Sequence, residues 1–518
     1  MYEFSYYTFC HPEYFETLSR YRATPVYRDI LLTLLPESWT LTRSDIWIHA
    51  RSRSTRIESQ GFKIHISASI SQAESVLQRV VPVCVNAGAS FKIVVDPTVH
   101  RFLNSKRFHR SGSGKFATIY SPSETSFRQM VEELRQATAD LEGPYILSDR
   151  RYKDSKIVFY RYGGFESIPD LQADGTKQLM IRDQDGKLVP DQRQPYFDLP
   201  AWISDPFVES EPSAAGGADA NGLLRDRYEV LEALNFTNTG GVYRAVDHTS
   251  GRMVVIKEAR PHTLNWIRRD QTIDATAALS HEHACLQMLQ GLSCVPEVIE
   301  FYQEWEHVFL VTSFREGLSL DRLRARDDFI VLTSLDRPER VKKFCVTWRH
   351  ICIRVLETVK DIHAHGVILG DISPGNVVLN TETLDLTFID LESALIVNDA
   401  EFADFNAQWF NPGFRSPSRE AGQLKPTDDY YACGMLLYNL LCPIQTLFEL
   451  DKAHPIARML NYFIASGLPT EIQVIITTLW AGNIEEALQV ARSWDPNEQV
   501  YVPQTMSAED HLALIESL

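Results

Sequence analysis

Apolar and polar residues alternate in the first half of the chain, and this pattern predicts β-strands. Residues 60–67 place apolar side chains on one face and Lys63 and His65 on the other. Lys92 lies between apolar neighbours in a second such strand, Ser90–Asp96. On this pattern alone, an amphipathic strand with a solvated face is the simpler interpretation.

The second half begins with strand patterns and continues with helical ones. Strand-like alternation covers Arg227–Glu232, Gly241–Val246 and Arg252–Lys257. From Val341 to His365, apolar residues recur at three- and four-residue steps, and Thr427–Leu447 is again largely apolar, so both segments are predicted to be helical. The apolar positions of the first helix are Phe344, Trp348, Ile351, Val355, Val359 and Ile362. A β-rich lobe followed by a helical lobe is the order of a bilobal protein-kinase-like fold.

A segment without bulky apolar residues, Glu209–Gly222, separates the two halves. Small and turn-forming residues cannot bury a core, so this segment is predicted to be a flexible linker. It divides the chain into domains at residues 1–208 and 223–518, each large enough for a core of its own. The fold class expected is therefore an α+β chain of two domains.

Composition restricts the partners of this chain of 518 residues. The 51 basic and 68 acidic residues give a net charge of −17, which argues against nucleic acid or an anionic membrane as the main partner. There is no apolar run of membrane-spanning length and no secretory signal pattern, so we expect a cytoplasmic protein. The eight cysteines contain no Cys-x-x-Cys pair, so we expect reduced thiols and no zinc site.

The spacing of Asp371, Asn376 and Asp390 indicates phosphoryl transfer. Asp371 and Asn376 belong to Gly-Asp-Ile-Ser-Pro-Gly-Asn, and Asp390 follows nineteen residues after Asp371 in Phe-Ile-Asp-Leu-Glu. A kinase-like site needs one carboxylate to orient the accepting hydroxyl, and an amide and a second carboxylate to hold Mg²⁺. Each fragment alone is equally typical of an ordinary turn. The two together, separated by two strand-like segments, favour a nucleotide phosphotransferase.

Upstream residues complete a candidate nucleotide site. Gly240 and Gly241 lie in a predicted hairpin, where glycines let backbone amides approach phosphates, although a hairpin turn without a ligand looks the same. Lys257, sixteen residues after Gly241, is placed to reach the α- and β-phosphates. Its candidate partner is Glu282 on a predicted helix, with Glu258 as a nearer competitor.

The first half gathers cations into one domain of an acidic protein. They include Lys63, Lys92 and Arg110, and further arginines follow in Ser-Asp-Arg-Arg-Tyr and Tyr-Arg-Tyr-Gly-Gly. Arginine forks grip a phosphate dianion in a bidentate manner. Elimination of phosphate from phosphoserine or phosphothreonine needs a base, an acid and cations. Lysine can be the base if neighbouring cations lower its pKa, and histidine can be the acid.

The second half resembles a divergent Ser/Thr protein kinase along its length. Pro417 with Glu420, and then Asp429 with Tyr431 and Gly434, are similar to the end of a kinase activation segment and the buried helix after it. Two motifs depart from that pattern. Leu-Gly precedes Asp371 and Leu-Glu follows Asp390, as in kinases that phosphorylate small molecules. These departures put conventional activation-loop regulation in doubt.

The first half resembles the phosphothreonine lyases of bacterial type III effectors. The matching elements are Lys63-x-His65, Lys92 on a later strand and the stretch from Arg110 to Tyr120. The resemblance implies that His65 is the acid and Lys92 the base. It also implies a set of phosphate-holding or carbonyl-polarising residues, for which Arg151 and Arg161 are favoured over Arg150. That set is Lys63, Arg110, Tyr120, Arg151 and Arg161.

A lyase-like domain followed by a kinase-like domain is similar to the class III lanthipeptide synthetases. The resemblance implies phosphorylation of Ser and Thr in a precursor peptide, with ATP or GTP and Mg²⁺, and then elimination to dehydroalanine or dehydrobutyrine. It also implies a leader segment on the peptide and a cyclase domain, which this chain does not contain. Either the chain is a lyase–kinase fragment, or ring closure occurs elsewhere or without catalysis.

Two other functions fit the same residues. One is a Ser/Thr or small-molecule kinase whose first half senses phosphate and regulates the second. The other is a pseudokinase with a phosphopeptide-binding module, in which the altered motifs abolish transfer. The presence of Lys257, Asp371, Asn376 and Asp390 together argues against the pseudokinase. The precursor peptide, the leader-binding groove, the nucleotide preference, the ring type and the oligomeric state are not indicated by the sequence.

Overall fold

The computed structural model describes most of the chain and divides it into two compact units. The described residues are 20–53, 55, 57–106, 108, 110–192, 194, 196–207, 223–264, 266–268, 271–326, 329, 337–397, 399, 411, 413–419, 424–444, 453–501, 509 and 513. One unit comprises Met1–Gly251, Ile256–Ala277 and Tyr302–Phe309, and the other comprises Arg252–Val255, Ala278–Phe301 and Leu310–Leu518. The predicted linker, Glu209–Gly222, lies outside the described residues.

A seven-stranded antiparallel sheet forms the centre of the N-terminal part. Its strands are β1 (Trp39–Ser44), β2 (Trp47–Ser52), β3 (Gln60–Ile66), β4 (Ser90–Val94), β5 (Ala117–Tyr120), β6 (Arg150–Arg151) and β7 (Val158–Gly164). Their order is β1-β2-β4-β5-β3-β7-β6. The helices of this part are α1 (Val26–Leu34), α2 (Ala73–Ala87), α3 (Pro97–Leu103) and α4 (Glu124–Ala137).

One face of this sheet belongs to the hydrophobic core. Ile64 and Ile66 of β3 and Ile119 of β5 are fully buried and share a core cluster with residues of α2 and α4, such as Val80 and Phe127. Because side chains alternate along a strand, Lys63 and His65 must point to the opposite face. The strands predicted at residues 60–67 and 90–96 are thus confirmed as β3 and β4.

A small three-stranded sheet follows in the same unit. It consists of β8 (Pro169–Leu171), β9 (Lys177–Arg182) and β10 (Leu188–Pro190), in the order β10-β9-β8. Most of its side chains are exposed, and Leu171 is 69% exposed.

The strands predicted after residue 223 are confirmed. They form β11 (Tyr228–Thr237), β12 (Gly240–Asp247) and β13 (Arg252–Ala259), followed by β14 (Trp266–Arg268), β15 (Gln271–Ile273), β16 (Val298–Glu304) and β17 (His307–Ser313). The order of the five-stranded sheet is β11-β12-β13-β17-β16, and β14 pairs with β15. Boundaries of the compact units fall within β13, β16 and β17.

The second unit is mainly helical. Its helices are α5 (Ala275–Met288), which begins in the first unit, α6 (Leu320–Arg324), α7 (Pro338–Ala364), α8 (Pro426–Asn439), α9 (Ala453–Ala465), α10 (Thr470–Trp480) and α11 (Ile484–Ser493). Its short strands are β18 (Leu318–Ser319), β19 (Val367–Ile368), β20 (Val377–Leu379), β21 (Leu386–Phe388) and β22 (Leu395–Ile396). Strand β20 pairs with both β18 and β21, and β19 pairs with β22.

The helix α7 confirms the periodicity of the sequence, because all six predicted apolar positions are buried in it. Trp348 is fully buried and donates its indole N–H to the carbonyl of Leu437 in α8 at 3.0 Å. The predicted helix at 427–447 is confirmed up to Asn439, where α8 ends, and is wrong for residues 440–444; residues 445–447 lie outside the described part of the chain. Pro443 contributes to this end, because it has no N–H to donate to the carbonyl of Asn439 four residues earlier and its ring clashes with that carbonyl.

Candidate active sites

The strand register of the first sheet places the predicted lyase residues in two adjacent rows on its polar face. Lys63 of β3 lies opposite Tyr120 of β5 and Arg161 of β7. In the next row, His65 lies opposite Thr118, and Thr118 lies opposite Lys92 of β4. Residues in register on neighbouring strands point to the same face, so these side chains share the face opposite to the core.

Lys63 and Arg161 meet around Gly163. Arg161 Nη2 donates to Asp191 Oδ1 at 2.8 Å, and both Lys63 and Arg161 are more than nine-tenths buried. A Cβ atom on Gly163 would lie 3.2–3.4 Å from Asp191 Oδ1, Lys63 Nζ and Arg161 Nη2. Glycine at 163 therefore makes the room in which these two cations and one carboxylate converge. A cavity of about 270 Å³ opens beside Arg161 and Asp191 and is also lined by Trp202.

His65 is held by a buried carboxylate. Its Nδ1 donates to Asp149 Oδ2, and Asp149 also accepts from Ser148 Oγ at 2.7 Å and faces Lys115 Nζ at 3.5 Å. Burial lowers the pKa of His65 to about 3, opposed by Asp149 and reinforced by Lys115 and Lys63. Burial raises the pKa of Asp149, but His65 and Lys115 outweigh it and hold that pKa well below its usual range. The free protein therefore holds a neutral imidazole against an ionised carboxylate.

Lys92 and Tyr120 lie on the same polar face of the seven-stranded sheet, and each has an aromatic ring beside it. Lys92 Nζ lies 4.3 Å from the centre of the Trp47 ring, and Lys92 is paired in register with His49. Burial lowers the pKa of His49, and Lys92 adds to this effect. The ring of Tyr120 packs edge-on against Phe165.

Two predicted phosphate ligands have other partners in the structure. Arg151 makes a bidentate ion pair with Glu306, at 2.6 and 2.7 Å, and its guanidinium lies near the rings of Tyr145 and Trp305. The guanidinium of Arg110 lies over the ring of Phe236 at 4.6 Å. Of the arginines predicted to hold phosphate, Arg161 is the one that register places directly beside Lys63.

The kinase-like loops are brought together by a hairpin. Asn376 directly precedes β20 and Asp390 follows β21 by two residues, and the carbonyl of Asn376 accepts the N–H of Ile389 at 3.0 Å. Because the two strands are antiparallel, the end of one loop and the start of the other lie at the same edge. Asn376 Nδ2 also donates to the Asp371 carbonyl at 3.2 Å. The spacing in the sequence therefore does place Asp371, Asn376 and Asp390 together.

The Asp371 carboxylate lies in an acidic environment. Asn411 donates to it from its backbone N–H at 3.1 Å and from Nδ2 at 2.9 and 3.1 Å. Burial, with the charges of Asp390 and Glu392, raises the pKa of Asp371 to about 6, although the Asn411 hydrogen bonds act in the opposite direction. The pKa of Asp371 is thus close to the value expected of a general base that works near neutral pH.

Gly370 and Asp429 set the conformation of the loop before Asp371. Gly370 has φ +75°, and a Cβ atom there would lie 2.8 Å from the Ser393 carbonyl oxygen. Asp429 of α8 accepts the N–H groups of Leu369 and Gly370, both at 2.8 Å, and pairs with His363 at 2.7 Å. Glycine in this motif is therefore a steric requirement of the loop. Of the related predictions, Glu420 lies outside the described residues.

The glycine hairpin of β11 and β12 belongs to the first unit. Thr237 pairs with Gly240, so Asn238 and Thr239 form the turn, and Gly240 approaches the Glu258 carbonyl too closely for any side chain. Glu258, the proposed competitor for Lys257, accepts from Tyr243 Oη and from His307 Nδ1, each at 2.6 Å. Burial raises the pKa of Glu258, but these two partners outweigh it and lower that pKa to about 2.

Lys257 and Glu282 belong to different compact units. Lys257 is half-buried on β13 next to Ile256, which is fully buried. Glu282 of α5 is 2% exposed and accepts the N–H of Leu391, the residue after Asp390, at 3.3 Å.

The donor set at Asn376 and Asp390 fits a hard divalent cation. Carboxylate and amide oxygens are its usual ligands, and Mg²⁺ is commonly held by one or two carboxylates together with substrate phosphates. A second observation supports a cation here. The negative charges of Asp390 and Glu392 lie near Asp371 and raise its pKa, and a bound cation would offset them. In the described residues, no group of three His, Cys, Asp or Glu side chains could hold a metal by itself.

Sequence reasoning missed two carboxylates, Asp149 and Asp191. Asp149 and Asp191 were not given roles, although Asp149 precedes the predicted arginine pair and could have been found as a carboxylate next to it. Asp191 carries no local signal, because it contacts Arg161 only through the fold. Asn411 and Lys115 were missed for the same reason.

Within the described residues, no helix is long and apolar enough to cross a membrane.

Comparison with known families agrees with the two halves of the chain. The RamC N-terminal domain family matches residues 28–219, and the protein kinase domain family matches residues 228–481. A probable SapB synthase from Streptomyces coelicolor is 36% identical over 420 residues, which are 81% of this chain and 43% of that protein. The chain therefore spans less than half the length of this relative.

Other relatives match only the kinase part. Serine/threonine-protein kinase D from Synechocystis is 23% identical over 45% of this chain and 44% of its own length. A probable serine/threonine-protein kinase PknB from Lactococcus lactis is 25% identical over 45% of this chain and 34% of its own length. The chain therefore combines a RamC-like N-terminal domain with a protein kinase domain.

Proposed function

We propose that the chain is a bifunctional peptide dehydratase, which phosphorylates Ser and Thr of a precursor peptide and then eliminates the phosphate. The observation that carries this proposal is the shared polar sheet face of Lys63, His65, Lys92 and Arg161, in a chain that also has kinase loops. A sensor domain would need cations for phosphate, but it would not need a candidate base and a carboxylate-bound imidazole beside them.

In the kinase part, Asp371 would orient the hydroxyl of the peptide and accept its proton. Asn411 and Asn376 hold its carboxylate, and Asp429 holds the preceding loop through two backbone amides. Asn376 and Asp390 would hold Mg²⁺, which neutralises charge on the nucleotide phosphates when bound. Gly240, Gly241, Lys257 and Glu282 are assigned to the nucleotide, ATP or GTP.

In the lyase part, Lys92 would remove the α-proton of the phosphorylated residue. The electron pair of the broken Cα–H bond forms the Cα=Cβ double bond while the Cβ–O bond to phosphate breaks. Lys63 and Arg161 would neutralise the phosphate as it leaves, with Tyr120 beside them. Arg110 and Arg151 stay predictions from family resemblance, since each has another neighbour in the structure.

His65 would give a proton to the leaving phosphate oxygen. With its pKa at about 3, the imidazole is neutral in the free protein and must first receive that proton. A phosphate monoester has a second pKa near 6 and can bring the proton into the site, leaving as hydrogen phosphate. Asp149 stabilises the imidazolium that forms, because it is ionised and hydrogen-bonded to Nδ1.

The partner proposed is a precursor peptide with a leader segment, and a cyclase domain or a separate cyclase would act after dehydration. The compartment proposed is the cytoplasm, where ATP and the newly made peptide are both present.

The experiment is incubation of the protein with a Ser/Thr-containing precursor peptide, ATP and Mg²⁺, followed by mass spectrometry of the peptide. Loss of one water per modified residue supports the dehydratase. Gain of phosphate alone supports a kinase with a sensor domain, and no change supports a binding protein.

A lysine variant tests the lyase assignment. Lys92→Ala should accumulate phosphopeptide, because phosphorylation continues while the base for elimination is missing. Lys177→Ala is the matched control, since Lys177 is exposed on β9 of the same unit. If Lys92→Ala dehydrates the peptide at the rate of the control, the assignment of Lys92 is wrong.

A further inference from the structure

The turn of the glycine hairpin is attached to the RamC-like part of the same compact unit. Asn238 is fully buried, and its Nδ2 donates to the carbonyls of Leu103 at 3.2 Å and Ser105 at 3.0 Å. The residues of this contact lie in different family matches, 28–219 and 228–481, yet in one compact unit. The hairpin assigned to the nucleotide is therefore fixed by a side chain at its tip.

The contact uses backbone carbonyls at the end of a helix and directly after it. The last carbonyls of a helix have no partner within it, and α3 ends at Leu103. Asn238 occupies the carbonyls of Leu103 and Ser105, and the N–H of Leu264 donates to the carbonyl of Asn104 between them at 2.9 Å. Three successive carbonyls thus accept donors from the kinase part of the sequence.

Arg260 forms a second attachment. It is 1% exposed, and its Nη1 donates to the carbonyl of Asn238 at 2.9 Å while its Nη2 donates to the carbonyl of Tyr145. Its own N–H donates to the carbonyl of Thr239 at 2.8 Å. One guanidinium therefore joins the hairpin turn to a segment of the lyase part.

The segment that receives Arg260 also carries a lyase residue. Tyr145 packs edge-on against Phe159 and Trp305, and Asp149, the partner of His65, lies four residues further along. The ion pair of Arg151 with Glu306 holds the same segment. This attachment is thus made of buried, directional contacts and differs from loose packing of two domains.

We infer that the RamC-like part is a structural component of the nucleotide site, with Asn238 and Arg260 as positioning residues for the glycine hairpin. This inference rests on the assignment of the hairpin to the nucleotide under the proposed function. A hairpin that is free must lose conformational entropy when it closes over phosphates, and an attached hairpin has lost it already. Attachment should therefore increase nucleotide affinity without any contact between Asn238 and the nucleotide.

The parent protein for the test is the full chain carrying Lys92→Ala. It is titrated in a calorimeter with the ATP analogue AMP-PNP and Mg²⁺, and the Kd is measured. Asn238→Gly removes both side-chain bonds but suits a turn, so the hairpin itself should persist. Loss of two neutral hydrogen bonds predicts a Kd about tenfold higher. Asn235→Ala is the control, because Asn235 is an exposed asparagine on β11, three residues before Asn238, and the Kd of this variant should equal that of the parent.

Two readouts separate this role from general destabilisation. The KM for ATP should rise with Kd while the KM for the peptide stays constant. Hydrogen exchange of the Gly240 and Gly241 amides should be slow in the nucleotide-free parent and faster in Asn238→Gly. Arg260→Lys, which keeps the charge but not the fork, should give an intermediate Kd.

An unchanged Kd, within about twofold in both variants, would overturn the inference, as would faster hairpin exchange without loss of affinity. Binding is measured without a peptide, so the result does not depend on phosphorylation. A parent that binds AMP-PNP but leaves the peptide unmodified would instead contradict the proposed function.

Discussion

Replacing Asp371 by asparagine should lower the kinase activity but remove a pH-dependent loss of stability. The carboxylate is needed to accept the hydroxyl proton, so Asp371→Asn should lower peptide phosphorylation by at least about 100-fold. Its charge, however, is unfavourable in the folded protein, because burial and the neighbouring Asp390 and Glu392 raise its pKa to about 6. Relative to the variant, the parent should therefore lose stability as pH rises.

The sign and the size of this stability change follow from the pKa values of Asp371 in the folded and in the unfolded chain. An aspartate in an unfolded chain titrates near 4, so between pH 4 and 6 the folded parent binds more protons than the unfolded chain. Its stability is consequently highest at low pH and falls as Asp371 ionises. With about 1.4 kcal/mol per pKa unit, the expected change relative to Asp371→Asn is about 1 kcal/mol between pH 5 and 7. The effect of the Asn411 hydrogen bonds on ionisation is already included in the Asp371 pKa of about 6.

The assay is urea unfolding followed by tryptophan fluorescence at several pH values, without nucleotide or Mg²⁺. Trp348 and Trp480 report on the unit that contains Asp371. Asp385→Asn is the matched control, since Asp385 is exposed in the same hairpin. A difference between parent and Asp371→Asn that is flat with pH, or that grows in favour of the parent, would refute the electrostatic reasoning.

Two further predictions concern elimination from a synthetic phosphopeptide. Arg161→Ala should lower the elimination rate by about 100-fold or more, because Arg161 lies beside Lys63 on the polar face. Arg151→Ala should act mainly on thermal stability, through the lost ion pair with Glu306. An equal loss of rate in both variants would contradict this distinction. Asp149→Asn should reduce the rate by about 100-fold or more, since the amide cannot stabilise the His65 imidazolium. A normal rate with a normal pH profile would show that His65 acts without Asp149.

Much of the kinase-like site was predictable because its residues are close in sequence. Asp371, Asn376 and Asp390 lie within twenty residues, and the hairpin of β20 and β21 between them is a local structure. The departure at Gly370 was visible in the sequence, but its reason was not. The left-handed backbone and the nearby Ser393 carbonyl come from the folded loop.

The arrangement of the candidate lyase residues was predictable only in part. Alternation in β3 indicated that Lys63 and His65 share a face, but alternation cannot say which strand lies next to which. The order β4-β5-β3-β7 brings Lys92 and Arg161 to that face from strands far apart in sequence. The same sequence reasoning could not separate Arg161 from Arg151, because each is an arginine next to a tyrosine in a short motif.

The sequence by itself determined the local properties of this protein: the strand and helix patterns, the acidic net charge, the kinase motif spacing and the division into two family domains. These depend on residues within a few positions of each other, so periodicity and motifs reveal them. The tertiary structure alone decided which polar groups are buried together, as with His65 and Asp149, and that Asn238 donates to carbonyls at the end of a distant helix. Such contacts depend on strand order and helix ends, and burial then determines the energies that each pair contributes.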